Sequence, residues 1–183
     1  RQAAERGAEV TVVSTDKDLM QIVGGKIKMF DAMKNLAIGP DQVREKFGVD
    51  PERVIDVQAL AGDSTDNVPG VQGIGIKTAA LLIEKFGDLE GVLNHATDIK
   101  QPKRRQALIE QASMARISRK LVTLRQDVPV EVDLESFALE KLDPNKFLSF
   151  LRQQNFKSLI SRIESRTGVN APELSSIPIS ANK

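Results

Sequence analysis

The sequence predicts an α/β fold in which a partial parallel sheet is followed by a mostly helical lobe. A β-branched segment at residues 9–14 and a second candidate strand at residues 26–30 flank a helical segment near the start of the chain. A strand that leads into a helix and then into another strand is typical of a parallel sheet. Beyond about residue 40, apolar residues recur at helical spacing, and Pro, Asp and Gly mark helix starts and ends.

The first elements are short. Residues 1–6 have the composition of the last turns of a helix, which Gly7 closes. Because neither a starting Met nor an N-capping residue precedes them, we expect the chain to be shortened at this end. The β-branched run that follows is continuous, as expected of a buried parallel strand. Thr15 or Asp16 then caps a short helix that ends at about residue 21.

Helices account for most of the remaining chain. Their start and end signals predict segments at residues 40–47, 51–61, 77–86, 89–95, 102–124, 143–153 and 156–164. We expect residues 102–124 to form one long basic helix. The predicted domains are an α/β part at 1–38, a helical lobe at 39–166 and a linker at 167–183, where Pro, Ser and Asn replace the periodic apolar residues.

Composition excludes several classes of function. None of the 183 residues is Cys, so disulfides, thiolate catalysis and cysteine-bound zinc are ruled out, and a cytoplasmic location is expected. The chain has seven Phe but no Trp or Tyr, so we do not expect a surface of aromatic side chains that stack on bases. Residues 100–125 carry eight basic side chains against one acid, which fits either a track for a phosphate backbone or a solvated helix face.

The first motif whose residues could take part in chemistry is residues 14–18, at the end of the first predicted strand. Ligands of open α/β sheets collect at the carboxyl ends of strands. Asp16 and Asp18 could both turn toward such a site and offer the hard oxygen ligands that suit Mg²⁺ or Mn²⁺. The alternative is a helix N-cap followed by an acid in the first turn.

A second acidic motif occupies residues 62–67. Asp63 and Asp66 are three residues apart, so a helical turn would project both from one side. The alternative is an ordinary turn rich in Asp, Ser and Asn. Together with Asp16 and Asp18 they make four carboxylates, with no obvious basic partner beside the second pair. Such a set repels itself unless cations lie among it, and we expect all four to share one patch.

The third motif, residues 68–80, is the most specific and fits a helix–hairpin–helix pattern. Gly73 and Gly75 permit a tight turn and close approach of the backbone to a ligand. The next helix then directs its N–H groups at an anion, to which Lys77 and Thr78 add a charge and a hydroxyl. Such contacts hold a DNA phosphate without reading sequence. A nucleotide-binding loop is the alternative, but no strand precedes this turn and the third glycine is missing.

The three motifs, in this order and spacing, resemble the 5′-nuclease domain of bacterial DNA polymerase I and its flap endonuclease relatives. The residues that carry the resemblance are STDKDLMQ at 14–21, GDSTDNVPGVQGIGIKTAALLIEKFG at 62–87 and LSFLRQQNFKSLISRIES at 148–165. The resemblance implies a PIN-like α/β core and a helix–hairpin–helix at 62–87. It also implies two divalent metals, Mg²⁺ or Mn²⁺, that cleave a phosphodiester near the 5′ end of a flap.

By the same resemblance, each motif residue receives an expected role. The metal ligands would be Asp16, Asp18, Asp63 and Asp66, with no further catalytic side chain. The hairpin that grips duplex DNA, where K⁺ often sits, would comprise Gly73, Gly75, Lys77 and Thr78. The expected partners are branched DNA with 5′ flaps and polymerase domains that follow in the same chain, and the protein is expected to be a monomer.

The resemblance leaves two further functions open. Family members carry a preceding half with more acidic ligands and a basic arch, so we expect this chain to bind branched DNA but to cut it poorly by itself. A non-catalytic DNA-binding module is the main alternative, and a nuclease that acts on RNA primers is the second.

Overall fold

The computed structural model describes residues 1–139 and 143–170. The chain divides into two compact units, Arg1–Pro129 and Val130–Lys183, and each is treated by itself. The first unit contains residues 1–38 together with most of the helices. The division into domains at residues 38 and 39 was drawn from the change in element type, not from packing, and remains a prediction.

A three-stranded sheet lies at the start of the first unit. Strand β1 (Val10–Val13) pairs in parallel with β2 (Ile27–Asp31), as predicted. An unpredicted strand, β3 (Leu36–Ile38), pairs antiparallel to β2, so the small sheet is mixed. The expectation that the first strand is buried is wrong, because β1 lies at an edge of the sheet and alternate side chains face outward. Val13, for example, is 66% exposed.

The first helices begin and end where their capping residues predict. Helix α1 (Gln2–Glu5) and a 3₁₀ helix (Lys17–Ile22) precede α2 (Pro40–Phe47), which Gly48 ends in the left-handed conformation. A 3₁₀ turn (Pro51–Arg53) then leads into α3 (Val54–Ala61).

Four further helices complete the first unit: α4 (Ile76–Phe86), α5 (Leu89–Asn94), α6 (Pro102–Glu110) and α7 (Ala112–Val122). A 3₁₀ turn (Ala96–Asp98) lies between α5 and α6. The prediction of one long basic helix at 102–124 is wrong, because the chain leaves the helical conformation at Gln111, where φ is −107° and ψ is 17°. The side chain of Gln111 accepts a hydrogen bond from the backbone of Gln72, so a tertiary contact accompanies the break.

The core of the first unit is formed mainly by the apolar faces of α2, α3 and α4. Phe47, Leu60 and Ile83 are each nearly inaccessible to solvent. Helix α4 buries Ala79, Ala80, Leu82 and Ile83 as its predicted stripe requires. This packing fixes α3 against α4, and the loop between those two helices carries the second and third motifs.

The second unit is helical. A 3₁₀ turn (Leu134–Phe137) is followed by α8 (Pro144–Gln153) and α9 (Lys157–Thr167). The Asp143 carboxylate caps α8 by accepting the N–H of Asn145. Residues 171–183, most of the predicted linker, lie outside the described residues. None of the helices in the described ranges is long and apolar enough to cross a membrane.

Candidate functional site

The first motif forms a capped 3₁₀ helix at the end of β1. Asp16 is the N-cap, and its carboxylate accepts the backbone N–H of Asp18 at 2.9 Å. The Asp16 carboxylate is thereby held against its own helix, whereas the half-buried Asp18 side chain faces α3. The two acids therefore point to different partners.

The second motif forms a tight turn whose ends are held by glycine. Asp63 and Val68 are paired by two backbone hydrogen bonds of 2.9 and 2.8 Å, so the segment is a β-bridged turn and the expected helical turn is wrong. The backbones of Gly62 and Gly70 touch beneath it. A Cβ atom on Gly70, whose φ is +63°, would lie only 2.4 Å from the Gly62 nitrogen. Glycine is required there because only hydrogen fits.

Three of the four predicted metal ligands meet in space. One carboxylate oxygen each from Asp18, Asp63 and Asp66 lies within 4.8 Å of the other two, and we call this group the acidic cluster. Asp63 is buried, Asp18 is half-buried and Asp66 is exposed. Asp16 is not a member of this group, and its Oδ1 atom caps the 3₁₀ helix. The structure thus brings together three of the four residues, and the assignment of all four as metal ligands stays a prediction.

A cation compensates the acidic cluster in this structure. The Lys17 ammonium lies 2.5 Å from Oδ2 of Asp63, so the expectation that no base accompanies the second pair is wrong. Burial raises the pKa of Asp63, but the Lys17 ammonium and the N–H of Thr65 outweigh it and hold that pKa below its ordinary value. Sequence reasoning missed Lys17 because its partner lies 46 positions away along the chain.

Asp18 has the opposite electrostatic character. Burial, followed by the neighbouring negative charges, raises its pKa even though Gln58 donates a hydrogen bond that favours the ionised form. The Gln58 Nε2 atom lies 2.5 Å from Oδ1 of Asp18. The other amide atom, Oε1 of Gln58, is buried without a hydrogen-bond partner among the described residues. A buried oxygen without a hydrogen-bond partner, beside a carboxylate whose pKa is raised, is unfavourable unless a cation or water lies nearby.

The donor set fits a divalent metal ion. Three carboxylates, one of them buried, supply hard oxygen atoms at mutual distances that one or two small cations could bridge. A bound dication would also favour the ionised form of Asp18, which burial alone disfavours. Asp63, Asp66 and Asp18 are therefore the residues that could hold it, together with the Gln58 amide oxygen as a neighbouring acceptor.

The hairpin, residues 68–78, offers backbone groups to a ligand, whereas the acidic cluster offers side chains. Gly73 has a φ of +79°, and a Cβ atom at Gly73 or at Gly75 would meet nothing within 4 Å, so the turn is open to a ligand. Gly75 is the N-cap of α4 and offers no side-chain cap. The first N–H groups of α4 are thus available to an anion. Lys77 is exposed and Thr78 is half-buried on the same first turn.

Several cations of the basic segment are engaged in ion pairs. Arg116 donates two hydrogen bonds to Glu90, and Arg119 donates one to the buried carboxylate of Asp56. Asp56 and Gln58 are the two polar residues of the otherwise apolar α3. Their presence in an apolar run was a usable sequence signal, because buried polar side chains require partners. The two residues serve different ends, since Asp56 binds α7 and Gln58 contacts the acidic cluster.

The family described as 5′-3′ exonuclease, C-terminal SAM fold, matches residues 49–145, more than half of the chain. The chain belongs to this 5′-3′ exonuclease family. The matched residues include Asp63, Asp66 and the hairpin, whereas Asp16 and Asp18 precede them. The resemblance inferred from the three motifs is confirmed.

Relatives of the 5′-3′ exonuclease family are longer than this chain. DNA polymerase I of Rhizobium leguminosarum is 52% identical over 163 residues, which covers 89% of this chain and 16% of that protein. The 5′-3′ exonuclease of Aquifex aeolicus (strain VF5) is 32% identical over 163 residues, covering 88% of this chain and 54% of that protein. The chain therefore spans about half of the shorter relative and a much smaller part of the polymerase.

Solved structures share the fold. The T5 5′-exonuclease with divalent metal ions (zinc) bound aligns with a TM-score of 0.61 and 26% identity, over 66% of this chain and 45% of that chain. The T5 flap endonuclease in a pseudo-enzyme-product complex with DNA and metal ions gives the same TM-score at 25% identity, over 66% of this chain and 44% of that chain. The predicted α/β fold with a mostly helical lobe is confirmed for this 5′-3′ exonuclease family member.

Proposed function

We propose that the chain is the DNA-gripping, metal-holding part of a 5′–3′ exonuclease and flap endonuclease, which hydrolyses phosphodiesters near the 5′ ends of branched DNA. The carrying observation is the acidic cluster, in which oxygens of three carboxylates lie within 4.8 Å of one another. The cluster belongs to the same compact unit as the hairpin. Relatives named 5′-3′ exonuclease and a T5 relative described with DNA and metal ions support the proposal.

In this proposal Asp18, Asp63 and Asp66 hold Mg²⁺ or Mn²⁺. The metal supplies positive charge that polarises a phosphoryl oxygen and stabilises the charge that develops during hydrolysis. Gln58 fixes the orientation of the Asp18 carboxylate through its amide N–H. Asp16 is proposed as a further ligand through its Oδ2 atom, because its Oδ1 atom accepts the N–H of Asp18.

Lys17 has a distinct role in the proposed site. Its ammonium neutralises Asp63 in this structure, so an arriving dication must compete with it. The side chain is already 31% exposed while paired with Asp63, and once displaced it is long enough to turn toward solvent or toward a bound phosphate. The ion pair therefore keeps the carboxylates together before the metal binds and lowers the net affinity for the metal.

The hairpin holds the duplex by its phosphates. The open turn at Gly73 and Gly75 admits a sugar–phosphate backbone, and the uncapped N-terminus of α4 offers N–H donors to it. Lys77 and Thr78 contribute a charge and a hydroxyl. We assign K⁺ to this turn as an accompanying cation. Because these contacts address the backbone alone, binding is independent of base sequence.

The proposed partners are DNA and further domains of the same chain. We propose that the protein acts as a monomer on double-stranded or branched DNA with a 5′ flap, and the relatives named DNA polymerase I support polymerase domains that follow in the same chain. A nucleophile and a leaving group must both be held with sub-ångström accuracy, and misplacement of about 1 Å can cost on the order of 100-fold in rate. With three carboxylates at hand, this chain alone binds flaps but cuts them slowly.

A flap-cleavage assay tests this function. A labelled 5′-flap duplex is incubated with Mg²⁺ and either the chain itself or the chain extended upstream in its own gene. We expect binding by both proteins, fast cleavage by the longer one, and loss of that cleavage in Asp63→Asn but not in Asp41→Asn, which changes an exposed acid on α2.

Other outcomes would identify the alternative functions. Flap binding with no Mg²⁺-dependent cleavage by the extended chain would indicate a non-catalytic DNA-binding module. Preferential cleavage of a flap that carries a ribose-substituted strand would indicate a nuclease of RNA primers. Equal turnover by both lengths would show that the added segment is dispensable.

A further inference from the structure

Gln21, near the end of the 3₁₀ helix that follows Asp16, has no part in the acidic cluster or in the hairpin, yet it is buried. Its Nε2 donates a hydrogen bond to the carbonyl of Val122 at 3.0 Å, and its Oε1 accepts the N–H of Leu124 at 3.1 Å. Val122 is the last residue of α7, where carbonyls lack intrahelical partners. Gln21 therefore ties the 3₁₀ helix that carries Lys17 and Asp18 to the C-terminal end of α7.

The same helix is bonded to the hairpin at two other points. In the middle of α7, Oγ of the fully buried Ser118 accepts the N–H of Gly70 at 3.0 Å. At the N-terminal end, Oε1 of Gln111 accepts the N–H of Gln72 at 2.9 Å. Both acceptors are side chains, whereas both donors belong to the backbone of the hairpin.

We propose that α7 is a brace that holds the acidic cluster and the hairpin at a fixed separation, with Gln21, Ser118 and Gln111 as its positioning residues. All three bonds join segments far apart in sequence, with separations of 101, 48 and 39 residues. Gln21 and Ser118 are buried, where an unpaired polar group is unfavourable, so their bonds each define one geometry.

The brace matters because one DNA molecule must engage both sites. A strand gripped by the hairpin is presented to the metal in the acidic cluster at an effective concentration set by the distance and stiffness between the two sites. Loosening the brace lowers that effective concentration without removing a ligand from either site. This inference rests on the proposed function and assigns it three further residues.

The test measures how strongly metal binding and DNA binding reinforce each other. A fluorescent 5′-flap duplex is titrated with the chain, at constant ionic strength, in EDTA and in Ca²⁺, which has the oxygen preference of Mg²⁺. The readout is the ratio of the two dissociation constants. For the unaltered chain we expect Ca²⁺ to tighten binding about tenfold, within the usual range of coupling between sites. Asp63→Asn sets the baseline at which this gain is absent.

We expect Gln111→Ala, Gln21→Met and Ser118→Ala to lose most of the gain from Ca²⁺. Their affinities for Tb³⁺ alone and for DNA in EDTA should stay unchanged, which a general loss of structure would not allow. Gln106→Ala is the matched control for Gln111→Ala, because the Gln106 amide bonds only to Glu110 on its own helix among the contacts in the described chain. If the two buried substitutions prevent folding, the half-buried Gln111 still decides.

Two results would overturn the inference in distinguishable ways. If the unaltered chain gains affinity in Ca²⁺ and Gln111→Ala keeps the full gain, the brace is wrong and the proposed function stands. If the unaltered chain binds neither Tb³⁺ nor flap DNA, the proposed function fails and the brace fails with it.

Discussion

Only five residues separate Asp63 of the acidic cluster from Pro69 at the start of the hairpin turn, yet the two regions are built from different parts of the chain's chemistry. The acidic cluster is made of side chains from two distant segments, partly buried and electrostatically perturbed. The hairpin is made of backbone from one continuous segment that depends on glycine, and its turn at Gly73 and Gly75 is open to solvent. A site of the first kind depends on tertiary packing, whereas a site of the second kind is encoded locally.

The largest expected effect on stability comes from replacing a glycine of the hairpin by alanine. Gly70→Ala places a Cβ 2.4 Å from the Gly62 nitrogen at a φ of +63°, and we expect a loss of about 3 kcal/mol or more in the free energy of unfolding. Gly73→Ala has a similar φ of +79° but open space, so the loss should be about 1 kcal/mol. Urea denaturation of both variants measures the difference. Equal losses would mean that the contact between Gly62 and Gly70 does not position the turn.

The next effect concerns the buried carboxylate. Asp63→Asn removes one charge from the acidic cluster while the side-chain shape is kept, and Tb³⁺ or Mn²⁺ affinity should fall by about 100-fold or more. Binding of DNA in EDTA should be unchanged, because the hairpin uses backbone donors. Asp41→Asn, on the exposed surface of α2, is the control. A parallel loss of DNA binding in EDTA would show that the two regions are not separable.

The two regions differ equally in how far the sequence reveals them. The hairpin, the cap Asp16 and the end of α2 at residue 47 were predictable because each depends on a few neighbouring residues. Strand β3 was missed because it is three residues long and follows a turn at Asn35, which has a φ of +51°.

The acidic cluster was only partly predictable. The residue types indicated a metal site. The contacts of Lys17 with Asp63 and of Gln58 with Asp18 join residues far apart in the sequence, so no local pattern predicts them. Asp16 lies outside the cluster, and its Oδ1 atom accepts the N–H of Asp18 in a local helix cap. The break at Gln111 was hidden because no Gly or Pro marks it and a tertiary bond accompanies it.

A third prediction concerns Lys17. Lys17→Met removes the competitor for Asp63 and leaves the carboxylates to repel one another, so affinity for Mn²⁺ should rise about fivefold to tenfold, measured by titration at neutral pH. A fall in affinity would indicate that the ammonium positions the ligands and does not compete.

The same variant has a defined pH dependence. Because the pKa of folded Asp63 is lowered, its contribution to stability is present above its unfolded pKa and is lost as pH falls through the folded pKa. The difference in unfolding free energy between the unaltered chain and Lys17→Met should therefore be largest near neutral pH and vanish in acid. A difference that persists in acid would point to lost packing of the Lys17 stem.

The smallest expected effect lies at the hairpin. Lys77→Ala removes one exposed phosphate contact, so DNA affinity should fall about fivefold. The slope of log affinity against log salt should become shallower by about 0.9. Fluorescence anisotropy at several salt concentrations, with two unrelated flap sequences, gives both quantities. A loss confined to one sequence would mean that the hairpin reads bases.

The most direct test of the account is to locate the metal. A crystal of the chain grown or soaked with Mn²⁺ gives an anomalous signal that marks each ion. We expect an anomalous peak about 2 Å from oxygens of Asp18, Asp63 and Asp66, with the Lys17 ammonium displaced from Asp63. A structure at saturating Mn²⁺ in which the ion pair between Lys17 and Asp63 is intact, and no ion lies at the acidic cluster, would contradict the proposed metal site.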